Sequence, residues 1–193
     1  FNSLYLMTLS LLIFGILSIL EFFNLSKKIF DKKINYLLSN LCFIVFISIF
    51  SFFFFIFYNF QQSKYILLVL LIGCIASDIG GFVFGKIFKG PKLTKISPNK
   101  TISGMIGSFI FSCTLFSSLI YYETSVLSFT IVIIGLMTSL FCQIGDLFFS
   151  YLKRKADVKD TGSFLPGHGG ILDRLDGIFF GVPLGFLTLI LLF

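Results

Sequence analysis

The stretch LCFIVFISIFSFFFFIF, residues 41–57, decides the fold class because it is almost entirely apolar and carries no charged side chain. A helix needs about 20 mostly apolar residues to cross a bilayer. Five other segments of the chain share this character, so we predict an all-α, polytopic integral membrane helix bundle with about six spans. The predicted spans are Ser3–Phe23, Ile34–Phe60, Tyr65–Phe88, Ile102–Tyr122, Val126–Tyr151 and Ile178–Phe193. The last span is short and the chain begins with Phe1, so we expect truncation at one or both ends.

The composition excludes two broad classes of protein. Of the 193 residues, 56% are hydrophobic and 12% are charged. A soluble domain is about 45–50% apolar and about 25% charged. A water-soluble globule and a disordered chain, which needs low hydrophobicity, are both excluded. The net charge of +6 does not indicate a nucleic-acid partner in so apolar a chain; we interpret it through the side of the membrane on which the charges lie.

The basic residues are distributed unevenly among the loops. Fourteen of the fifteen Lys and Arg residues fall on alternate connections, namely the loop after the first span and the regions 86–101 and 152–177. Loops rich in Lys and Arg lie on the cytoplasmic side of a membrane. We therefore expect these three connections, and any site that they form, to face the cytoplasm. The four cysteines lie in apolar segments without Cys-x-x-Cys spacing, so we expect packed thiols.

Two carboxylates interrupt the predicted spans. Asp78 follows Ser77 in the third span, and Asp146 lies in the fifth. A carboxylate within a span is costly and by default indicates a functional site. The alternative is that each acid lies near the cytoplasmic end and simply reaches water. Helical spacing places Gln143 and Ser150 on the same face as Asp146, so we predict a polar stripe there.

The region 86–101 is rich in lysine. Compact ammonium groups suit phosphate, although a basic patch attracted to anionic lipid is the alternative. Its last residues, Ser97, Lys100 and Thr101, precede the fourth predicted span. Backbone N–H groups at a helix start bind anions, so we predict a phosphate-binding role for these three residues.

The region 152–177 alternates acidic and basic residues around a glycine-rich turn. Asp173 and Asp176 are three residues apart and would share one face of a helix. Carboxylate oxygens suit Mg²⁺, and the neighbouring Lys and Arg residues suit phosphates. This combination is typical of phosphoryl or nucleotidyl transfer. His168 has two interpretations, a structural hydrogen bond in the turn or a catalytic or phosphate-contacting role.

The same region carries a longer motif. The pattern Ser-x-x-Lys-Arg-x₄-Lys-Asp, followed by Pro-x-His-Gly-Gly-x-x-Asp-Arg-x-Asp, resembles the hallmark of the phosphatidate cytidylyltransferase family. The matching residues are Ser150, Lys153, Arg154, Lys159, Asp160, Pro166, His168, Gly169, Gly170, Asp173, Arg174 and Asp176. The resemblance covers about residues 67–193. One departure is that Ile102 and Ser103 stand where the family usually has an aromatic residue and Glu.

The resemblance implies an enzyme that joins CTP to phosphatidic acid, giving CDP-diacylglycerol and pyrophosphate in phospholipid biosynthesis. It implies Mg²⁺ held by Asp146 and Asp173, with a second, monovalent cation such as K⁺. Residues 1–63 would be N-terminal membrane helices, and residues 64–193 the catalytic membrane domain with cytoplasmic loops 86–101 and 152–177. We expect a bacterial-type inner or plasma membrane. The expected catalytic residues are Asp146, Asp173, Lys153, Arg154, Lys159 and Arg174. The expected substrate-binding residues are Asp78, Lys100, Thr101, Ser97, Ser150, Asp160, His168, Gly169, Gly170 and Asp176.

Three other functions remain open from the sequence. The chain could be a CTP-dependent transferase or kinase that acts on another lipid. It could be a transporter with carboxylates in its spans, although no internal repeat is visible. It could also be a non-catalytic homologue, because fold resemblance alone does not fix function. The small residues Gly80, Gly81 and Gly85 permit a helix interface, and with it a homodimer.

Overall fold

The computed structural model describes residues 4–162, 164 and 169–192, and this part of the chain contains six α-helices. All six are long and apolar enough to cross a membrane, which confirms the predicted all-α, six-span class. They are α1 (Leu4–Ile29), α2 (Lys33–Tyr58), α3 (Gln61–Phe88), α4 (Ile102–Thr124), α5 (Phe129–Lys155) and α6 (Leu172–Leu192). Many large apolar side chains lie on the outward faces of these helices, as expected of surfaces in contact with lipid.

Two helices extend further than their apolar segments. Helix α5 continues to Lys155, and α6 begins at Leu172, six residues before the predicted start. Charged residues at these ends complement the helix dipole, with three basic residues in the last turn of α5 and Asp173 in the first turn of α6. Hydropathy locates the membrane part of a helix and not its hydrogen-bonded end. The connection between the two helices is therefore shorter than the predicted loop and covers residues 156–171.

The chain divides into two compact units. The first unit contains Phe1–Gln61 and Phe149–Leu175, and the second contains Gln62–Phe148 and Asp176–Phe193. Helices α5 and α6 each contribute residues to both units. This division concerns packing, so the predicted boundary between N-terminal helices and a catalytic domain at residues 63 and 64 stays a prediction.

Aromatic stacking and one buried polar contact hold the first unit together. The rings of Phe22 and Phe43 stack with centroids 4.0 Å apart, and Phe149 meets Phe43 edge-on at 6.3 Å. Next to them, Ser26 Oγ donates a 2.7 Å hydrogen bond to Asn40 Oδ1. These contacts fix α2 against α1 and against the end of α5 that carries the basic residues.

Close backbone approach organises the second unit. A methyl group added to Gly80 of α3 would lie 2.5 Å from the carbonyl oxygen of Gly107 in α4. Glycines spaced four residues apart, at 177, 181 and 185, bring α6 equally close to side chains of α3 and α5. Small residues allow such approach in membrane helices, where packing replaces the hydrophobic effect. The predicted close approach at Gly80 is therefore present within this unit.

Candidate functional site

In the first unit, two residues of the predicted motif form an ion pair. Lys153 lies in the last turn of α5 and Asp173 in the first turn of α6. Lys153 Nζ donates a 2.7 Å hydrogen bond to Asp173 Oδ1, and the side chains are 11% and 9% exposed. An ammonium and a carboxylate are buried only when they are paired. The pair therefore fixes both side chains.

The second oxygen of Asp173 orders the connection before α6. Asp173 Oδ2 accepts hydrogen bonds from Thr161 N at 2.8 Å, Gly170 N at 3.0 Å and Thr161 Oγ1 at 3.0 Å. Gly169 has φ +82°, a conformation that favours glycine. A methyl group at Gly169 would also lie 3.2 Å from Asp173 Oδ2. The motif residues Gly169, Gly170 and Asp173 thus form one folded turn.

A second carboxylate, Glu21 of α1, belongs to the same cluster and was not predicted from the sequence. Glu21 Oε1 accepts from Ile171 N at 3.0 Å. Glu21 Oε2 accepts from Leu172 N and Thr161 Oγ1, each at 2.9 Å. The residue is 5% exposed. An acid within an apolar segment is the signal that singled out Asp78 and Asp146, and it applies equally to Glu21.

The other predicted residues of the first unit are exposed or half-buried, or lie outside the described part of the chain. Arg154 is exposed and its guanidinium Nη1 donates to the Val158 carbonyl at 3.3 Å. Ser150 is half-buried. Three further residues are exposed, namely Lys159, Asp160 and Arg174. His168 and Pro166 lie outside the described residues, so both interpretations of His168 stay predictions.

In the second unit, the lysine and the acid predicted to bind phosphate and metal meet directly. Lys100 lies two residues before the start of α4, and its ammonium forms an ion pair with the carboxylate of Asp146 on α5. The two side chains are 26% and 29% exposed. This pair is accordingly more open than the pair of Lys153 and Asp173. A polar ligand can reach it more easily.

The start of α4 is a tightly bonded loop. Thr101 Oγ1 caps the helix by accepting from Gly104 N at 3.1 Å, and Ile102 N donates to the Pro91 carbonyl at 3.0 Å. Ser97 belongs to the same loop, because its carbonyl accepts from Lys100 N at 3.0 Å. Two backbone donors of the first helical turn are thus already bonded. The predicted anion site there depends more on the Lys100 ammonium than on backbone N–H groups.

Hydroxyl and amide groups connect α3 with α5 close to Asp146. Ser77 Oγ and Ser139 Oγ are 2.8 Å apart, and Gln143 Nε2 donates to Ser139 Oγ at 3.3 Å. Asp78 follows Ser77 on α3, and its Oδ1 accepts a weak 3.7 Å contact from the Cys142 thiol. A polar face on α5 was predicted from Gln143 and Asp146. Its continuation to Ser77 was not predicted.

Asp176 occupies a different environment from Asp173, although only three residues separate them on α6. Asp176 is 8% exposed, and its Oδ1 accepts from the neighbouring Gly177 N at 2.8 Å. The α-helical start at Leu172 confirms the predicted helical spacing of these two acids. Because Asp176 is buried, a substrate reaches it less easily than it reaches the exposed residues of the motif.

The donor groups fit a hard divalent cation. Asp146 offers carboxylate oxygens in a partly open position where an ammonium already lies. In Asp173, Oδ2 has three hydrogen-bond donors, so Oδ1 is the better placed oxygen for a cation. Carboxylate oxygens are the ligands that Mg²⁺ prefers. Among residues 4–162, 164 and 169–192, no group of three or more His, Cys, Asp or Glu side chains is placed to hold a metal. The pairing of Asp146 with Asp173 stays a prediction.

Comparison with known proteins decides the family. The sequence profile of the cytidylyltransferase family matches residues 2–192, almost the whole chain. The chain belongs to the cytidylyltransferase family. Together with the six apolar helices, membership of this family indicates an integral, multi-pass membrane protein.

Several relatives within the cytidylyltransferase family are named phosphatidate cytidylyltransferase. The chain is 41% identical over 128 residues to the protein of Staphylococcus saprophyticus subsp. saprophyticus, a match that covers 64% of this chain and 48% of the relative. It is 40% identical over 115 residues to the Helicobacter pylori protein, covering 60% and 43%. It is 43% identical over 126 residues to a Staphylococcus aureus protein, covering 64% and 48%. The chain spans about half the length of the curated relatives that it matches.

Proposed function

We propose that this chain carries the catalytic part of an enzyme that transfers the cytidylyl group of CTP to phosphatidic acid. The products are CDP-diacylglycerol and pyrophosphate. One observation carries the proposal: residues of the motif form the cluster of Lys153, Asp173 and the turn at Gly169 and Gly170 in the first unit. The names of the relatives support the choice of substrates.

The proposed reaction is an in-line displacement at phosphorus. A phosphate oxygen of phosphatidic acid attacks the α-phosphorus of CTP and forms a new P–O bond. The bond between the α-phosphorus and the oxygen bridging to the β-phosphate breaks, and pyrophosphate leaves. A phosphate monoester has a second pKa of about 6, so the attacking group is already largely a dianion near neutral pH. The reaction therefore does not require a general base from the protein.

The main barrier is repulsion between two anionic substrates, which positive charge in the site lowers. Lys153 is committed to Asp173, so we assign it to holding that carboxylate. We assign the neutralisation of the nucleotide phosphates to the exposed cations Arg154, Lys159 and Arg174. Lys100, in its more open pair with Asp146, is the proposed contact for a substrate phosphate in the second unit.

Asp146, and Oδ1 of Asp173, are the oxygen donors that we propose for a divalent cation such as Mg²⁺. When bound, such a cation would supply further positive charge to the phosphates. Within this proposal, Asp78 and Asp176 support the site from within the membrane helices. We further propose that the site faces the cytoplasm, because the basic residues gather on that set of loops. A monovalent cation and a homodimer stay predictions.

Product analysis tests the proposal. The purified chain in detergent is incubated with CTP labelled at the α-phosphate, phosphatidic acid and Mg²⁺. We expect label in the lipid fraction as CDP-diacylglycerol, with release of unlabelled pyrophosphate. A CTP-dependent kinase would leave the α-label in CDP and phosphorylate a lipid alcohol instead. Folded protein that yields labelled CDP, or no labelled lipid, would overturn the proposal.

A further inference from the structure

The buried carboxylate of Glu21 takes no part in the proposed reaction, and yet it bonds to Ile171 and Leu172 within the motif. In the first unit it accepts from Ile171 N, Leu172 N and Thr161 Oγ1. All three donors belong to the segment that leads into α6. Asp173 also bonds to this segment, at Thr161 N and Gly170 N.

We infer that Glu21 is a positioning residue, which fixes the start of α6 and thereby the orientation of Asp173 in the proposed reaction. The inference rests on the proposed function for its effect on turnover. Its structural part, that Glu21 holds Thr161, Ile171 and Leu172 in place, stands independently. No contact between Glu21 and a substrate is required.

Thr161 links the two carboxylates. Its Oγ1 lies 2.9 Å from Glu21 Oε2 and 3.0 Å from Asp173 Oδ2. A hydroxyl carries one proton, so it donates to one of the two acceptors at a time. Thr161 N also donates to Asp173 Oδ2 at 2.8 Å. A shift of Glu21 is therefore transmitted to Asp173 along two routes, through Thr161 and through Leu172, which precedes Asp173 in the chain.

The geometry of Glu21 requires two acceptor oxygens. Oε1 and Oε2 each receive a backbone N–H from consecutive residues, Ile171 and Leu172. A glutamine has one acceptor oxygen and one amide group, so its amide would face one of these N–H donors. Two donors that face each other in a site this deeply buried leave the backbone N–H unpaired. The charge-removing variant E21Q therefore disrupts the contact without changing the size of the side chain.

The experiment compares four single variants of the full chain in detergent. E21Q removes one acceptor, and T161V removes the linking hydroxyl at constant shape. S26A and T161S are the matched controls. Ser26 is also buried on α1, but its hydroxyl bonds to Asn40 and not to the start of α6. T161S keeps the hydroxyl.

Two readouts are measured on protein that elutes as a single folded peak. The first is the rate of trypsin cleavage after the exposed Lys159, which requires no activity. The second is kcat and the KM for CTP. For E21Q and T161V we expect faster cleavage and a fall in kcat of about 10- to 100-fold, the usual effect of losing a partner that orients a ligand residue. KM should change much less, because neither side chain is proposed to contact substrate.

The double variant E21Q/T161V should lose less than the sum of the two single losses, because both variants affect the contact between Thr161 Oγ1 and Glu21 Oε2. S26A and T161S should match the unchanged protein in both readouts. Unchanged cleavage and kcat in E21Q would overturn the inference, as would an equal loss in S26A. If E21Q does not fold, T161V against T161S tests the link from Glu21 to Asp173 through Thr161 with Glu21 intact, and equal cleavage rates and kcat in these two variants would overturn the inference. If the unchanged protein forms no CDP-lipid, the proposed function fails, while the cleavage rates still test the role of Glu21.

Discussion

Lys153 Nζ and Asp173 Oδ1 are 2.7 Å apart, although 20 residues separate them in sequence, and both side chains are about nine-tenths buried. The pair joins the last turn of α5 to the first turn of α6. A charge left alone in such a position is far more costly than the intact pair or its complete removal. The role of the pair can therefore be tested by comparing the removal of one partner with the removal of both.

Replacing Lys153 with Met should destabilise the protein more than replacing both partners. For K153M we expect the free energy of unfolding to fall by about 3–5 kcal/mol, because Asp173 loses its counter-charge. The double variant K153M/D173N should recover part of that loss. Thermal or denaturant unfolding in detergent measures both. K155M is the control, because Lys155 is exposed in the same turn and its ammonium lies over the Phe30 ring, a contact worth about 0.5–1 kcal/mol. An equal loss in K155M would argue against a special role for the buried pair.

Loss of charge at either proposed metal ligand should abolish activity, but the effect on stability should differ between the two. We expect both D146N and D173N to abolish CTP- and Mg²⁺-dependent formation of CDP-lipid. D146N should keep nearly normal stability, because a partly open ion pair contributes only about 0–1 kcal/mol. D173N should also lose stability, because Asp173 anchors the turn through three hydrogen bonds and pairs with Lys153 through a fourth. The assay is product formation together with the unfolding midpoint. Near-normal activity in either variant would refute its assignment as a metal ligand.

Two lysines of the 86–101 region provide a matched comparison. K100A should lower activity by about tenfold or more, because it removes the cation paired with Asp146, a typical effect of losing one charge-stabilising group in a site. K92A should change activity by less than about twofold, since Lys92 is exposed and most surface substitutions have small effects. Initial rates at varied CTP and phosphatidic acid would also show which substrate depends on Lys100. A large loss in K92A, or none in K100A, would mean that this loop is wrongly assigned.

The close approach of α3 and α4 can be tested with two glycines of the same helix. The added methyl group of G80A would lie 2.5 Å from a backbone oxygen of α4, so we expect a loss of about 1–3 kcal/mol from overpacking. The nearest atom to a methyl group at Gly73 is Ser112 Oγ at 3.6 Å, an ordinary contact. G73A should therefore be neutral or stabilising by up to about 1 kcal/mol, the difference in helix propensity. Similar unfolding midpoints for the two variants would contradict the observed packing.

The sequence predicted the number and order of the helices well, because membrane spans leave a long apolar signature. It predicted their ends less well. Lys153 was placed in a loop and lies on α5, and Asp173 was placed in a loop and lies on α6. Helical hydrogen bonding continues beyond the apolar segment where acidic residues stabilise the start of a helix and basic residues its end. Hydropathy does not detect this continuation.

The site was predictable where a motif or an isolated charge stood out, and not where partners are distant in sequence. Asp146 and Lys100 were singled out separately, but their pairing depends on how α4 and α5 pack. Glu21 had the right signal, an acid in an apolar segment. Two of its partners are backbone N–H groups about 150 residues away, which have no sequence signature. Only the folded chain identifies them.

The contact between Glu21 and Thr161 also has a consequence for how the protein is made. The two residues are 140 positions apart. A ribosome that adds about 5–20 residues per second needs roughly 7–28 s to travel from one to the other. Throughout that interval Glu21 of α1 is without its native hydrogen-bond donors, Thr161, Ile171 and Leu172, while it lies beside or within the bilayer. Placement of Thr161, Ile171 and Leu172 is accordingly a late event in biogenesis, completed only when α6 has been made and these donors reach the Glu21 carboxylate.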